Sequence, residues 1–361
     1  MPESSIVVRP EPMDSGTYTA ASRLQAAGLS RAIALFERIA ADVPLPEPPQ
    51  PIVLADYGAS TGHNSLLPIG AALKVIRGRT RPEHSVLVAH TDRPDNDFTA
   101  LFRTLEEDPD SYLHKDRLTF ASAVGRSFYS QILPSNSVHL GWSSWAIQWL
   151  SQTPAVIEGH VQVAYCDDDG VRAAFARQAA RDWHEFIAFR GRELSPGARL
   201  VVVTMAIGED GEFGFRPLMS ALVDALNELA GTGFLQSHEV AHMCIPTFAR
   251  RASDFMAPFA PSGRFEGLQI EHLEVFDAED RFWQRYQAEK DPQAFGARWA
   301  GFARASAFPA LLHALDGGTG DPRATELFDR LEKAVADRLA AAPEQTQIPQ
   351  AHVVLTKRPK P

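Results

Sequence analysis

Residues 52–67, IVLADYGASTGHNSLL, place a short apolar run that includes Asp56 ahead of a turn with two glycines, Gly58 and Gly62, and then a helical pattern. An apolar run of that length reads as a buried strand, and a strand feeding a helix through a tight turn is the repeating unit of a parallel sheet. Glycine lets backbone come close to a ligand, and open sheets bind ligands beyond the carboxyl ends of their strands. The spacing is not the strict dinucleotide fingerprint, so the turn reads either as a nucleoside-cofactor site or as a pair of ordinary turn glycines. Outward from it, apolar runs recur at 85–90, 118–122, 137–141, 199–205, 268–276 and 351–356 and alternate with helical patterns. Seven strands in a mainly parallel sheet, with helices on both faces, make this an α/β chain.

Upstream, residues 17–41 carry Leu24, Leu29, Ile33, Leu35, Phe36 and Ile39 at helical spacing, and residues 44–51 hold five prolines. Proline fixes φ and removes a backbone donor, so that segment is an extended tether outside the sheet. Helical patterns at 216–230, at 248–256 and after Asp280 are longer than an ordinary crossover and read as a lid over the cofactor edge. The chain then divides into an N-terminal cap and substrate helix (1–43), the tether (44–51), a cofactor-binding core (52–210), a helical cap insertion (211–262) and a segment that completes the core with a further helical insertion (263–361).

With 361 residues, 45% hydrophobic and 22% charged, the chain has the composition of a globular protein with a large core. Its net charge of -10 opposes a phosphate backbone, which argues against a nucleic-acid partner. Cys166 and Cys244 are too few for a disulfide framework and read as free thiols. Residues 1–15 lack a cationic stretch followed by an apolar one, and no apolar run reaches bilayer length. A cytoplasmic protein with no membrane partner is expected.

The second strand runs into His90, Thr91 and Asp92, and an acidic side chain there can accept from both ribose hydroxyls. Beyond the third strand, Ser127, Phe128 and Tyr129 offer a hydroxyl and aromatic rings for an adenine. Longer matches follow the same order along the chain: GASTGHNS at 58–65, DRPDNDF at 92–98, RSFYSQILPSNSVHLGWSSWAIQWLSQTP at 126–154, RELSPGARLVV at 192–202, SALVDALNELAGTGFL at 220–235 and GRFEGLQIEHLEVF at 263–276. Through them the chain resembles the SABATH family of salicylate, jasmonate and related carboxyl methyltransferases, and we read it as a bacterial-type member.

The resemblance implies a seven-stranded Rossmann-like methyltransferase sheet with a helical cap, S-adenosyl-L-methionine as cofactor and a small carboxylic acid as substrate. Carried onto matching positions, it places Ser22, Asp56 and Asn64 at the methionine end of the cofactor, with Gly58 in the turn beside it. Asp92 goes to the ribose, and Ser127 and Phe128 to the adenosine. Tyr18, Gln25 and Trp149 face the substrate, Gln25 and Trp149 as donors to its carboxylate. A carboxylic acid is already ionised at neutral pH, so no general base is needed and no residue is assigned a catalytic proton transfer. A homodimer is compatible with the family. The chain departs from the plant pattern at His63, Thr91 and Arg93, and Trp145, Gln148 and Met219 fall in motifs that shape the acyl pocket.

A competing motif is HEVAH, His238 to His242, whose two imidazoles would bind zinc with Glu239 as base if it lay in a sustained helix. Gly231, Gly233 and Pro246 leave little room for one, so the histidines are read as surface residues and no metal site is assigned. The other readings are nitrogen methylation on the same fold and a non-catalytic cofactor-binding protein.

Overall fold

The structure, a computed structural model, describes residues 29–358. Helix α1 (Ser30–Asp42) buries Ala32, Leu35, Phe36, Ile39 and Ala40 along one side, the spacing of an amphipathic helix. It carries the helix expected over 17–41 to its C-terminal end; the part before residue 29 lies outside the described residues. Strand β1 (Ile52–Tyr57) feeds α2 (His63–Arg77), and β2 (Val86–Asp92) feeds α3 (Phe98–Glu107) and the single turn α4 (Tyr112–Lys115). Then come β3 (Thr119–Gly125), β4 (Val138–Ser144), the long α5 (Asp169–Glu193) and β5 (Leu194–Met205). The C-terminal third holds α6 (Arg216–Gly231), α7 (Ser237–His242), α8 (Ala252–Met256), β6 (Leu268–Asp277), α9 (Arg281–Glu289), α10 (Pro292–Ser306), α11 (Phe308–Leu311), α12 (Ala324–Ala341) and β7 (Pro349–Lys357).

The strands form one sheet in the order β3-β2-β1-β4-β5-β7-β6. Strands β1 to β5 are mutually parallel, and β7 runs antiparallel between β5 and β6. This is the expected seven-stranded Rossmann-like sheet. Successive side chains of a strand point to opposite faces. Leu54, Val88, Leu140 and Val201 accordingly pack with Phe36, Ile69 and Leu73 of α1 and α2 on one face. Ala55, Tyr57, Leu200 and Val202 pack with Trp183, Phe186 and Ile187 of α5 on the other. A separate hydrophobic cluster joins α6, α10 and α12 through Leu222, Leu226, Phe295, Trp299, Leu331 and Val335. Gly296 permits the close approach of α10 and α12 there, since a Cβ on it would stand 2.2 Å from the Ala336 carbonyl oxygen.

Two segments differ most from their sequence expectation, while β3 and β4 run on past their expected ends to Gly125 and Ser144. Strand β5 starts at Leu194 rather than at 199, and the pairing register shifts between Val138 and Leu140. The Ser195–Pro196–Gly197 stretch, with Gly197 at φ +82, is absorbed as an irregularity instead of ending the strand. The helix expected over 248–256 forms only from Ala252. Residues before it run extended, because Thr247 bridges Trp149 and Arg250 bridges Ala206. Their backbone groups are satisfied sideways, Phe248 N donating to Gln148 O at 2.8 Å and Ile207 N to Arg250 O at 3.0 Å. Among the described residues, no helix is long and apolar enough to cross a membrane.

Candidate functional site

The sheet order reverses direction between β1 and β4, and the carboxyl ends of the strands at such a switch point are where open α/β sheets bind ligands. Asp56 is the penultimate residue of β1 and Gly58 comes just after the strand, Asp92 ends β2, Ser127 and Phe128 follow β3, and Trp149 follows β4. The topology therefore brings these residues to one edge of the sheet. Tyr18, Ser22 and Gln25 lie outside the described residues.

The turn after β1 is stitched to the end of β2. Gly58 N and Ala59 N donate to Thr91 O at 2.9 and 3.0 Å, and the Thr91 hydroxyl returns a bond to Asp56 O at 3.0 Å. Ser60, at φ +49, donates its amide to Asp92 Oδ2 at 2.7 Å, while Arg93 N donates to Oδ1 at 2.7 Å. Both carboxylate oxygens are thus oriented and retain lone pairs for further donors. Burial raises the Asp92 carboxyl above its ordinary value, against the pull of those two amides and with added repulsion from Asp56.

Gly58 and Gly62 have positive φ, at +89 and +80. What requires glycine there is protein packing: a Cβ on Gly58 would lie 2.3 Å from Ala146 Cβ, and one on Gly62 would lie 2.5 Å from Leu101 Cδ1. The turn is shaped by the chain's own neighbours. Asn64 stands exposed in the first turn of α2. His63 begins that helix, with its Nδ1 3.2 Å from Asp108 Oδ2.

Asp56 is 1% exposed and has a partner that sequence reasoning missed, His90, whose Nδ1 lies 2.8 Å from Asp56 Oδ2. Within an apolar strand a lone histidine reads as core, so only the register pairing of Asp56 with His90 reveals the contact. Ser127 is exposed, and Phe128 is half-buried with its ring edge-on to Phe186 and 3.5 Å from where a Gly58 Cβ would sit.

The segment after β3 hangs on a buried ion pair that the sequence reading also missed. Arg190, fully buried, donates to Phe128 O at 2.8 Å and Ser130 O at 2.9 Å, and pairs with Glu193 at 2.9 Å. Glu193 in turn accepts from Ile132 N at 2.7 Å, Leu133 N at 3.0 Å and the Tyr57 hydroxyl at 2.9 Å. Helix α5 thereby holds residues 128–133 in place from beneath the sheet edge.

Beyond β4, Trp145 sits at φ +54 with its amide bonded to Val203 O at 2.8 Å. Trp149 is half-buried against the helical cluster; its carbonyl accepts from the Tyr129 hydroxyl at 2.6 Å, and it bridges Thr247. Gln148 is buried, donating to Trp145 O at 2.7 Å and accepting from the Thr204 hydroxyl at 3.0 Å. Met219 likewise belongs to the core of the helical cluster. The hydroxyl of Ser144, at the tip of β4, is buried with no partner among the described residues.

Glu239 of the HEVAH segment is a structural anchor. Helix α7 is only six residues long, and Glu239 accepts from Gln236 N at 2.9 Å, Asp316 N at 3.1 Å and Arg323 at 3.1 Å. The Arg323 hydrogen bonds hold its pKa down to about 2, the wrong direction for a general base. His238 pairs with Asp316 at 2.8 Å and His242 bonds the His238 carbonyl at 2.7 Å, both rings exposed. Among the described residues no three His, Cys, Asp or Glu side chains converge on a metal-sized site.

Residues 11–358 match the family described as SAM dependent carboxyl methyltransferase. The chain belongs to that family. Salicylate carboxymethyltransferase of Clarkia breweri is 27% identical over 305 residues, covering 80% of each chain. Anthranilate O-methyltransferase 1 of Zea mays is 25% identical over 365 residues, covering 94% of this chain and 93% of its own. The solved structure of a loganic acid methyltransferase with SAH superposes with a TM-score of 0.75 at 21% identity, over 96% of this chain and 98% of that one, which shows the shared fold. The salicylate and anthranilate methyltransferases are plant proteins, and membership of the family carries no bacterial branch with it. As a SAM-dependent carboxyl methyltransferase family member, the protein uses S-adenosyl-L-methionine. The residues present fit that cofactor: Asp56 and Asp92 stand on adjacent strands, where carboxylate acceptors would suit an ammonium and a diol, and the buried Ser144 hydroxyl has no partner among the described residues.

Proposed function

We propose that the protein methylates a carboxylate oxygen of a small aromatic or fatty acid, yielding a methyl ester. The observation that carries this reading is the segment 145–150 at the carboxyl end of β4. It brings the two indoles of Trp145 and Trp149 to the sheet edge beneath the helical cluster and contains no ionisable side chain. An acceptor that had to lose a proton would call for a base; a carboxylate, ionised well below neutral pH, does not. The relatives named for salicylate and anthranilate support an acid of this class.

When bound, the cofactor supplies an electrophilic methyl group on a sulfonium sulfur. In this reading Ser22, Asp56 and Asn64 hold its amino-acid end, Asp92 its ribose, and Ser127 and Phe128 its adenosine, with Gly58 in the turn alongside. Trp149 and Gln25 donate to the acid's carboxylate, and Tyr18 closes the pocket. Their task is alignment and exclusion of water, since proximity and orientation are the whole demand on the protein once the nucleophile is already charged. The donors must hold the carboxylate without quenching the attacking oxygen, so they act as positioning groups. Residues 211–262 and the helices after Asp280 serve as the cap over this acid.

Trp149→Phe tests the reading, because it keeps an aromatic wall and deletes the indole donor. We expect a loss of about 1.5–3 kcal/mol in carboxylate recognition, tenfold or more in kcat/KM, with cofactor affinity unchanged. Full activity of Trp149→Phe on the best acid substrate would overturn it.

A further inference from the structure

We propose that His90 is a positioning residue for the amino-acid end of the cofactor, acting through Asp56 and oriented by Tyr112. Asp56 and His90 are register partners on adjacent parallel strands, so their side chains leave the same face of the sheet side by side. Tyr112, from the single turn α4, closes the row on that face. His90 Nδ1 lies 2.8 Å from Asp56 Oδ2, and its Nε2 lies 2.7 Å from the Tyr112 hydroxyl. Asp56 and Tyr112 are each 1% exposed and His90 is 0% exposed, so water does not compete for these bonds.

The donor accounting fixes the direction of the chain. Burial raises the Tyr112 phenol, keeping it protonated. A carboxylate only accepts, so Nδ1 carries the hydrogen that faces Asp56, and the Tyr112 hydroxyl partners Nε2 on the other side of the ring. Nδ1–H donates to Asp56 Oδ2 and locks the carboxylate plane. That leaves Oδ1 as the oxygen for the cofactor's α-ammonium, a cation that requires an acceptor held in a fixed direction. The same logic by which a partner on the far nitrogen of a histidine orients a metal ligand here orients a carboxylate.

This inference rests on the reading of Asp56 as a binder of the methionine moiety, and the test separates the two. Binding of S-adenosylhomocysteine and of 5′-methylthioadenosine, which lacks the amino-acid end, is measured by calorimetry for Asp56→Asn, His90→Leu, His90→Asn and Tyr112→Phe. We expect His90→Leu to bind S-adenosylhomocysteine about tenfold more weakly, the scale of one charge-assisted hydrogen bond, with methylthioadenosine unchanged. His90→Asn places an amide N–H where Nδ1–H was and restores most of the affinity, whereas Tyr112→Phe weakens S-adenosylhomocysteine alone. Unchanged affinity in Asp56→Asn would overturn the underlying reading. A weakened Asp56→Asn beside a wild-type-like His90→Leu would overturn the role of His90, as would an equal loss of both ligands, which marks a merely structural residue. If His90→Leu does not fold, the contrast between His90→Asn and Tyr112→Phe decides: equal affinity for both ligands in both variants overturns the proposal.

Discussion

Replacing either member of the Arg190–Glu193 pair probes how the fold delivers the adenosine-side segment to the site. Both side chains are fully buried, and breaking a buried pair by removing one partner costs about 3–5 kcal/mol, because an uncompensated charge remains. The two removals are not equivalent. Arg190→Met leaves Glu193 with three donors, Ile132 N, Leu133 N and the Tyr57 hydroxyl, so its cost falls near the lower end of that range. Glu193→Leu leaves a buried cation with two carbonyl acceptors, Phe128 O and Ser130 O, and the ring faces of Tyr57 and Phe186, but no counter-charge, an Nε that already lacks a partner, and two orphaned amides, so its cost falls near the upper end. Urea unfolding followed by tryptophan fluorescence gives the stabilities. S-adenosylhomocysteine calorimetry gives the consequence for the site, where affinity falls in both variants because residues 128–133 lose their anchor. Stabilities within about 1 kcal/mol of wild type, or the opposite ranking, would refute the reasoning.

Asp92→Ala removes the ribose acceptors and should weaken cofactor binding by about 1.5–3 kcal/mol in calorimetry while thermal unfolding is largely spared. Gly58→Ala combines the positive φ with a Cβ 2.3 Å from Ala146 Cβ and should destabilise the protein by roughly 2–4 kcal/mol in urea titration, cofactor affinity falling with it. Burial, with Arg31 nearby, lowers the His352 pKa to about 4, so the unfolded chain takes up a proton that the folded one refuses. Stability from this residue is therefore complete above about pH 6.5 and lost as pH falls toward 4; His352→Gln should flatten the wild-type decline over that window by about 3 kcal/mol, read from urea midpoints at stepped pH.

The seven strands were legible because each central strand is buried on both faces and appears in the sequence as an unbroken apolar run. The two misplaced boundaries share a cause: at residues 195–197 and 247–250 lateral backbone pairing decides the conformation, and no local pattern encodes a partner far along the chain. The same limit applies to the site. Strand-tip positions such as Asp56 and Asp92 could be located from the strand-turn-helix order, whereas Trp149, beyond the end of β4, came only with the family resemblance. Which of them share a hydrogen bond depends on register, so the His90 contact to Asp56 stayed hidden. Arg190 and Glu193 look like a solvated i, i+3 pair on a helix until the tertiary fold buries them. Gln148 and Met219 sit in pocket motifs, yet the first is spent on Thr204 and Trp145 and the second fills the helical core.

The central claim, methyl transfer to a carboxylate, is tested most directly by the chemistry of the product. The protein is incubated with methyl-labelled S-adenosyl-L-methionine and a panel of aromatic, phenylalkanoic and fatty acids, and the labelled product is treated with mild base. The account predicts a volatile or extractable label that base releases as methanol, the behaviour of a methyl ester. A base-stable label on a nitrogen acceptor, with no transfer to any acid, would contradict it.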